Sequence, residues 1–163
     1  MKIRSRTSFL TILLVLASLG LYCLSVTPVN SPARADDAKA ADNDIQPVDD
    51  EMHHFMEYVF EPNYKRLKAS MAAEPTEKQT WKAIKGDSLT LAECANLLAM
   101  RVPEKDGYGW KAYSLQVRGY GSQLYQAARK SDYAGARKAY TSMLQQCNAC
   151  HKKFADGKHQ LAP

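Results

Sequence analysis

Residues 136–154 read ARKAYTSMLQQCNACHKKF. Apolar side chains recur along this stretch at alternating spacings of four and three residues, which is the period of one face of an α-helix. The apolar positions are Ala136, Tyr140, Met143, Cys147, Cys150 and Phe154. The stretch therefore predicts an amphipathic helix whose buried face carries both cysteines.

The same helix carries the motif C-x-x-C-H at Cys147, Cys150 and His151, which is the attachment pattern of a c-type haem. Cysteines three residues apart share a helix face, where their sulfurs can bond to the two vinyl groups of one porphyrin. A bare C-x-x-C is also typical of half a zinc site or of a redox dithiol, and the histidine favours haem over both. The motif predicts one covalently bound haem c, with His151 as the proximal iron ligand.

Three further stretches show helical spacing of apolar residues, at about 50–71, 76–101 and 108–131, and no stretch alternates like a strand. Pro62 predicts a kink in the first of them. The stripe of the second is formed by Trp81, Ile84, Leu91, Ala95, Leu98 and Val102. Four amphipathic helices with short connections predict an all-α fold, an antiparallel up-down four-helix bundle with one covalently attached haem near the C-terminus.

The N-terminal residues 1–35 have the features of an export signal. Basic residues precede an apolar run from Phe9 to Val26, and small residues suit cleavage after Ala35. The run of about 18 residues just reaches spanning length, so an uncleaved membrane anchor is the alternative. In both cases the rest of the chain leaves the cytoplasm. We expect a periplasmic location, because c-type haem is joined to its protein outside the cytoplasmic membrane.

Two further segments follow the predicted signal. Residues 36–50 are acidic, rich in alanine and nearly devoid of apolar side chains, which predicts a disordered tether. Residues 51–163 have the size of one small domain and contain all four predicted helices. We therefore predict a single four-helix cytochrome domain at the end of a tether.

The charge and the cysteines exclude two classes of protein. The chain has a formal charge of +5, but four of its 22 Lys and Arg residues and none of its 17 acidic residues fall within residues 1–35. The remainder is close to neutral, which argues against nucleic acid as a partner. Apart from the motif, Cys94 is the one cysteine beyond residue 35, so a disulfide framework is not expected.

The stretch from Cys147 to Phe154 reads CNACHKKF, and it follows three predicted helices in a domain of about 113 residues. In these features the chain resembles the class II c-type cytochromes, which comprise cytochrome c′ and its low-spin, methionine-ligated relatives. Ordinary cytochrome c instead carries its haem site near the N-terminus. The resemblance covers Glu51 to about Gly157, and it implies one haem and, as one arrangement, a homodimer through helices 1 and 2.

The resemblance also names a distal ligand. Low-spin members of the family take a methionine from early in helix 1, followed by a basic residue and, eleven residues on, by an apolar one. Met56 matches that position and Leu67 lies eleven residues later, but Glu57 stands where the basic residue would be. His53 and His54 replace the arginine that usually precedes the ligand.

Antiparallel alternation places the start of helix 1, and the loop between helices 2 and 3, at the haem end of the bundle. Met56 is the first candidate there for the sixth iron ligand, since thioethers ligate haem. His53 and His54 are stronger donors and form the second group of candidates. A five-coordinate iron is the third alternative, and Met52 and Met100 complete the set.

Coordination decides the function that the sequence predicts. A six-coordinate haem suits an electron carrier whose iron cycles between Fe(III) and Fe(II), with redox partner proteins that the sequence does not identify. The alternative is a five-coordinate, cytochrome c′-like protein that binds NO or CO. An enzyme is not expected, because no acid-base pair accompanies the motif. Arg101 and Lys105, near the loop at the haem end, are candidates to pair with the haem propionates.

Overall fold

The computed structural model describes residues 46–163, and every regular element in that range is helical. The four helices are α1, which covers residues 52–70, α2 over Lys78–Met100, α3 over Gly107–Arg129 and α4 over Tyr133–Phe154. The prediction of an all-α fold with four helices is confirmed for these residues. The predicted signal or anchor, and residues 36–45 of the predicted tether, lie outside the described residues. Residues 46–50 are exposed and form no helix.

Helix α1 changes its winding twice. Its parts are α-helical Met52–Phe55, π-helical Met56–Phe60 and α-helical Glu61–Ser70. In the π turn, the Glu61 N–H donates to the Met56 carbonyl oxygen, five residues back. Pro62 follows directly, and in a regular α-helix its ring would clash with the carbonyl four residues back. The wider turn avoids this clash, so the helix has a π turn where the sequence predicts a kink.

Polar side chains around the π turn tie α1 to α2. Asn63 Nδ2 donates to the Val59 carbonyl oxygen at 2.6 Å, and Asn63 Oδ1 accepts from Arg66 at 2.5 Å. The guanidinium of Arg66 also donates to Oδ1 of the buried Asp87 on α2, at 2.7 Å. A buried carboxylate is costly unless it is paired, so this contact satisfies Asp87 while it holds the two helices together.

Aspartates begin both of the last two helices. Asp106 Oδ1 accepts from the Gly109 N–H at 3.0 Å at the start of α3, and Asp132 Oδ1 accepts from the Gly135 N–H at 2.9 Å at the start of α4. Each carboxylate satisfies an N–H that has no partner within the helix, and its charge favours the positive end of the helix dipole. The first residues of α3 and α4 follow from these caps.

Consecutive helices pack against each other, α1 on α2, α2 on α3 and α3 on α4. They share a main core whose fully buried members include Leu67, Met71, Ile84, Ala95, Leu124, Ala136 and Tyr140. At Gly121 a Cβ atom would lie 3.1 Å from the Cβ of Ala92, so this glycine permits the close approach of α3 to α2. No helix within residues 46–163 is both long and apolar enough to cross a bilayer.

Candidate functional site

The last two turns of α4 present the motif residues. Cys147, Cys150 and His151 stand at positions i, i+3 and i+4 of a continuous helix, so they share one face. Both cysteines are free thiols. Cys150 is buried, with 7% of its surface exposed, and Cys147 is partly buried against the main core. The arrangement brings two thiols and one imidazole to the same side of the helix.

The apolar surroundings keep both thiols protonated. Burial raises the pKa of Cys147 to about 12, and the neighbouring Cys150 adds to the effect. Burial likewise raises the pKa of Cys150 to about 11. Redox-active dithiols have a lowered pKa that makes the thiolate available at neutral pH. These surroundings therefore disfavour the redox-dithiol interpretation of C-x-x-C.

The imidazole of His151 is held in one orientation. Its Nδ1 lies 2.9 Å from the carbonyl oxygen of His159. A carbonyl only accepts, so Nδ1 carries the proton and the lone pair of Nε2 remains free to bind a metal. Burial lowers the pKa of His151, and the contact with the His159 carbonyl opposes that effect. The ring is therefore neutral at pH 7, which is the form that ligates iron.

A second, smaller apolar cluster surrounds Cys150, and we call it the terminal cluster. Its buried members are Leu98, Trp110 and Cys150, with Met52, Phe55, Met56, Phe60, Tyr113 and Phe154 packed against them. It joins residues of α1, α2, α3 and α4. Trp110 Nε1 donates to the Leu98 carbonyl oxygen at 2.8 Å, and the ring of Phe154 meets Trp110 edge-on at 5.2 Å. Lys153 forms an ion pair with Asp106, and its Nζ lies 5.6 Å from the centroid of the Phe154 ring.

Met56 lies in the terminal cluster together with Cys150. Its side chain is partly buried, and it is the first residue of the π turn. The structure thus brings the first candidate for the sixth ligand into the same apolar cluster as one motif cysteine. Met52 belongs to the same cluster, whereas Met100 is 50% exposed.

The two candidate histidines are engaged with acidic residues near the surface. His53 is exposed, and its Nε2 lies 3.4 Å from Glu57 Oε2. His54 is partly buried, its Nδ1 lies 2.9 Å from Asp49 Oδ2, and its ring stacks on Tyr58 at 5.3 Å. Each contact uses one ring nitrogen, so Nδ1 of His53 and Nε2 of His54 are not engaged by these carboxylates.

Arg101 supplies a polar donor beside the terminal cluster. Its guanidinium carbon lies 4.1 Å from the centroid of the Phe55 ring, and Nη1 donates to the Leu97 carbonyl oxygen at 3.1 Å. Nε is buried and has no hydrogen-bond partner among residues 46–163. A buried donor without an acceptor costs about 1–3 kcal/mol. A haem propionate is an acceptor of the right charge, so this residue fits a bound haem. Lys105, the other candidate, is exposed.

A C-terminal segment that the sequence does not predict contacts the motif helix. His159 provides the acceptor for His151, and Asn148, inside the motif, binds the backbone of Leu161 at 2.7 and 2.9 Å. The motif treats position 148 as variable, and the acceptor on His159 is a backbone atom. Neither contact therefore leaves a signal in the residue types.

Among residues 46–163, no group of three or more His, Cys, Asp and Glu side chains is arranged to hold a metal ion on protein ligands alone. Comparisons of the chain with protein-family models, with curated proteins and with solved structures gave no match. The motif, the placement of its residues and their contacts are therefore the features that indicate a function.

Proposed function

We propose that this protein is a mono-haem c-type cytochrome that carries electrons. Cys147 and Cys150 bind haem c through two thioethers, and His151 is the proximal iron ligand. One observation carries the proposal. On α4 two free thiols share a helix face with the imidazole of His151, whose Nδ1 is hydrogen-bonded to the His159 carbonyl oxygen. One nitrogen of His151 is thus left for the iron.

The bound haem supplies one-electron chemistry between Fe(III) and Fe(II). The protein residues attach, orient and shield it. The thioethers fix the macrocycle to α4, and the aromatic members of the terminal cluster keep water away from it. Arg101 offers its Nε to a propionate. No substrate is turned over, and the redox partners are other proteins.

Met56 is the proposed sixth ligand. Its place in the terminal cluster with Cys150 supports this assignment over His53 and His54, whose side chains are 67% and 43% exposed. A methionine sulfur completes six-coordinate iron and raises the reduction potential of haem. Such a haem changes charge with little rearrangement, which suits an electron carrier.

The up-down arrangement of the four helices is part of the proposal, as is the kinship with class II c-type cytochromes. Contacts between the end of α2 and the start of α3, such as Trp110 to Leu98, support antiparallel packing, and so does the approach of Ala92 to Gly121 further along the pair. The predicted export signal and the requirement for haem attachment outside the cytoplasm support a periplasmic location.

A five-coordinate, cytochrome c′-like protein that binds NO or CO is the second candidate. Phe55 and Phe60, on either side of Met56 in sequence, pack edge to face at 5.3 Å in the terminal cluster. If this aromatic pair faces the iron in place of the Met56 sulfur, the sixth position stays open to a small gas.

Haem attachment is tested by producing the chain in a bacterium that exports and matures c-type cytochromes. We expect the mass of one haem to remain bound after denaturation. Cys147→Ser and Cys150→Ser should each retain at most one thioether, the double variant should lose covalent haem, and Cys94→Ser is the matched control. A chain that matures without covalent haem while a known cytochrome is loaded in the same cells would contradict the proposal.

A further inference from the structure

The chain beyond α4 turns back along the helix that carries the motif. The N–H groups of Ala155 and Gly157 both donate to the His151 carbonyl oxygen, at 2.9 and 3.1 Å. The turn places Asp156 and His159 at φ of 52° and 57°, in the left-handed region. For residues other than glycine this conformation costs roughly 1–2 kcal/mol each. Other contacts must therefore hold the segment in place.

Asn148 provides the first of these contacts. Its Oδ1 accepts from the Leu161 N–H at 2.7 Å, and its Nδ2 donates to the Leu161 carbonyl oxygen at 2.9 Å. One amide side chain thus satisfies both backbone groups of one residue. The side chain of Leu161 also packs against the main core. The pair of hydrogen bonds fixes the segment relative to the motif itself.

Tyr64, on α1, provides the second contact. Its hydroxyl donates to the Ala162 carbonyl oxygen at 2.8 Å and accepts from the Ala162 N–H at 3.2 Å. Residues 161 and 162 are therefore held by two different helices. The clamped residues lie two and three positions from His159, whose carbonyl oxygen accepts from Nδ1 of His151.

We propose that residues 157–162 form a strap that orients the proximal imidazole, and that Asn148 and Tyr64 are positioning residues which act through it. The inference rests on the proposed function for the role of His151 as an iron ligand. A fixed Nδ1–H···O=C bond sets the ring plane and makes Nε2 a stronger donor. A stronger donor favours Fe(III), so the strap lowers the reduction potential of the haem.

The test measures the midpoint potential of the haem in the full chain carrying Asn148→Ala. We expect the potential to rise, because the His159 carbonyl is no longer held at Nδ1. A rise of 59 mV corresponds to a tenfold change in the equilibrium between Fe(II) and Fe(III). Asn96→Ala is the matched control, since its side chain bonds only to Glu93 on the same helix at 3.1 Å. Tyr64→Phe removes the second contact without touching the motif, and it should shift the potential in the same direction.

NMR of His151 separates failure of the strap from failure of the proposed function. In wild type we expect the His151 Nδ1–H and the Leu161 amide proton to exchange slowly with solvent. In Asn148→Ala we expect both protons to exchange faster. If the chain binds no haem, the proposed function is wrong, and the exchange rates of these two protons alone test whether the strap holds the imidazole. Unchanged exchange overturns the inference, as does an unchanged potential in both Asn148→Ala and Tyr64→Phe. If Asn148→Ala does not fold, Tyr64→Phe decides.

Discussion

The guanidinium of Arg101 lies over the Phe55 ring, 4.1 Å from its centroid, and keeps its Nε buried without a hydrogen-bond partner among residues 46–163. The contact joins the end of α2 to the start of α1. An aromatic face attracts a cation, but it does not replace an oxygen acceptor for a buried N–H donor. This unsatisfied donor, beside the terminal cluster, is the feature that a propionate would complete.

Arg101→Met should therefore have little effect on the haem-free protein and a measurable effect on the haem-loaded protein. In haem-free protein, the loss of an unsatisfied donor offsets the loss of the ring contact and of the hydrogen bond to the Leu97 carbonyl, and we expect the free energy of unfolding to change by less than about 1 kcal/mol. In haem-loaded protein the propionate loses its partner, which favours Fe(III) and lowers the midpoint potential. Potentiometric titration measures the shift, with Lys105→Met as the exposed control. Equal shifts in both variants would show that Arg101 acts only as a distant charge.

Met56→Ala should change the coordination of the iron. Loss of the thioether leaves the sixth position open, so ferric protein should lose the weak red absorption band of methionine ligation and ferrous protein should bind CO rapidly. Met52→Ala is the matched control, because Met52 packs in the same terminal cluster. If wild type already binds CO rapidly and Met56→Ala leaves its spectrum unchanged, the five-coordinate alternative is correct.

The buried face of α4 is a feature that the sequence predicts well. Ala136, Tyr140, Met143 and Cys150 are buried as their spacing indicates, because the helix is regular over its whole length. Val102 was expected on the buried stripe of the second helix and is 41% exposed, since α2 ends at Met100 and the chain leaves the stripe there. Periodicity fails where the backbone departs from the helix.

Two features near the motif depend on the backbone and were not predicted. A π turn widens only one stretch of α1, so it hardly disturbs the spacing of apolar residues. The bond from His151 to the His159 carbonyl requires a left-handed conformation at His159, which its residue type does not indicate. The sequence therefore predicts the candidate iron ligand but not the segment that contacts its imidazole.

The two glycines of α3 should respond differently to alanine. A Cβ at Gly121 would meet Ala92, with the backbone nitrogen of that residue at 3.3 Å, so the two helices must move apart. A Cβ at Gly119 meets nothing within 4 Å. We expect Gly119→Ala to stabilise the fold by about 0.5–1 kcal/mol through helix propensity, and Gly121→Ala to destabilise it. Urea unfolding followed by circular dichroism measures both. A similar increase in the free energy of unfolding for Gly119→Ala and Gly121→Ala would contradict the close packing of α2 and α3.

The contact between Asp106 and Lys153 should make stability depend on pH. The hydrogen bond and charge of Lys153, together with the Gly109 N–H, hold the pKa of Asp106 below its usual range. A lowered pKa in the folded state means that the contribution is complete above the ordinary carboxyl pKa of about 3.9, and is lost as the pH falls through the lowered value. Asp106→Asn keeps an N-cap but removes the charge.

We therefore expect wild type to be more stable than Asp106→Asn at pH 7, and the difference to disappear in acid as Asp106 becomes protonated. Thermal unfolding of both proteins between pH 7 and pH 2 measures this convergence. Lys153→Met should reduce the difference at pH 7, because the ion pair is already absent, whereas Lys152→Met, at the neighbouring exposed position, should not. Added salt should reduce the difference in stability between wild type and Asp106→Asn at pH 7, because Asp106 and Lys153 are both partly exposed. If the difference in stability between wild type and Asp106→Asn persists unchanged at low pH, it comes from the N-cap and not from the charge of Asp106. The ion pair with Lys153 would then contribute nothing measurable.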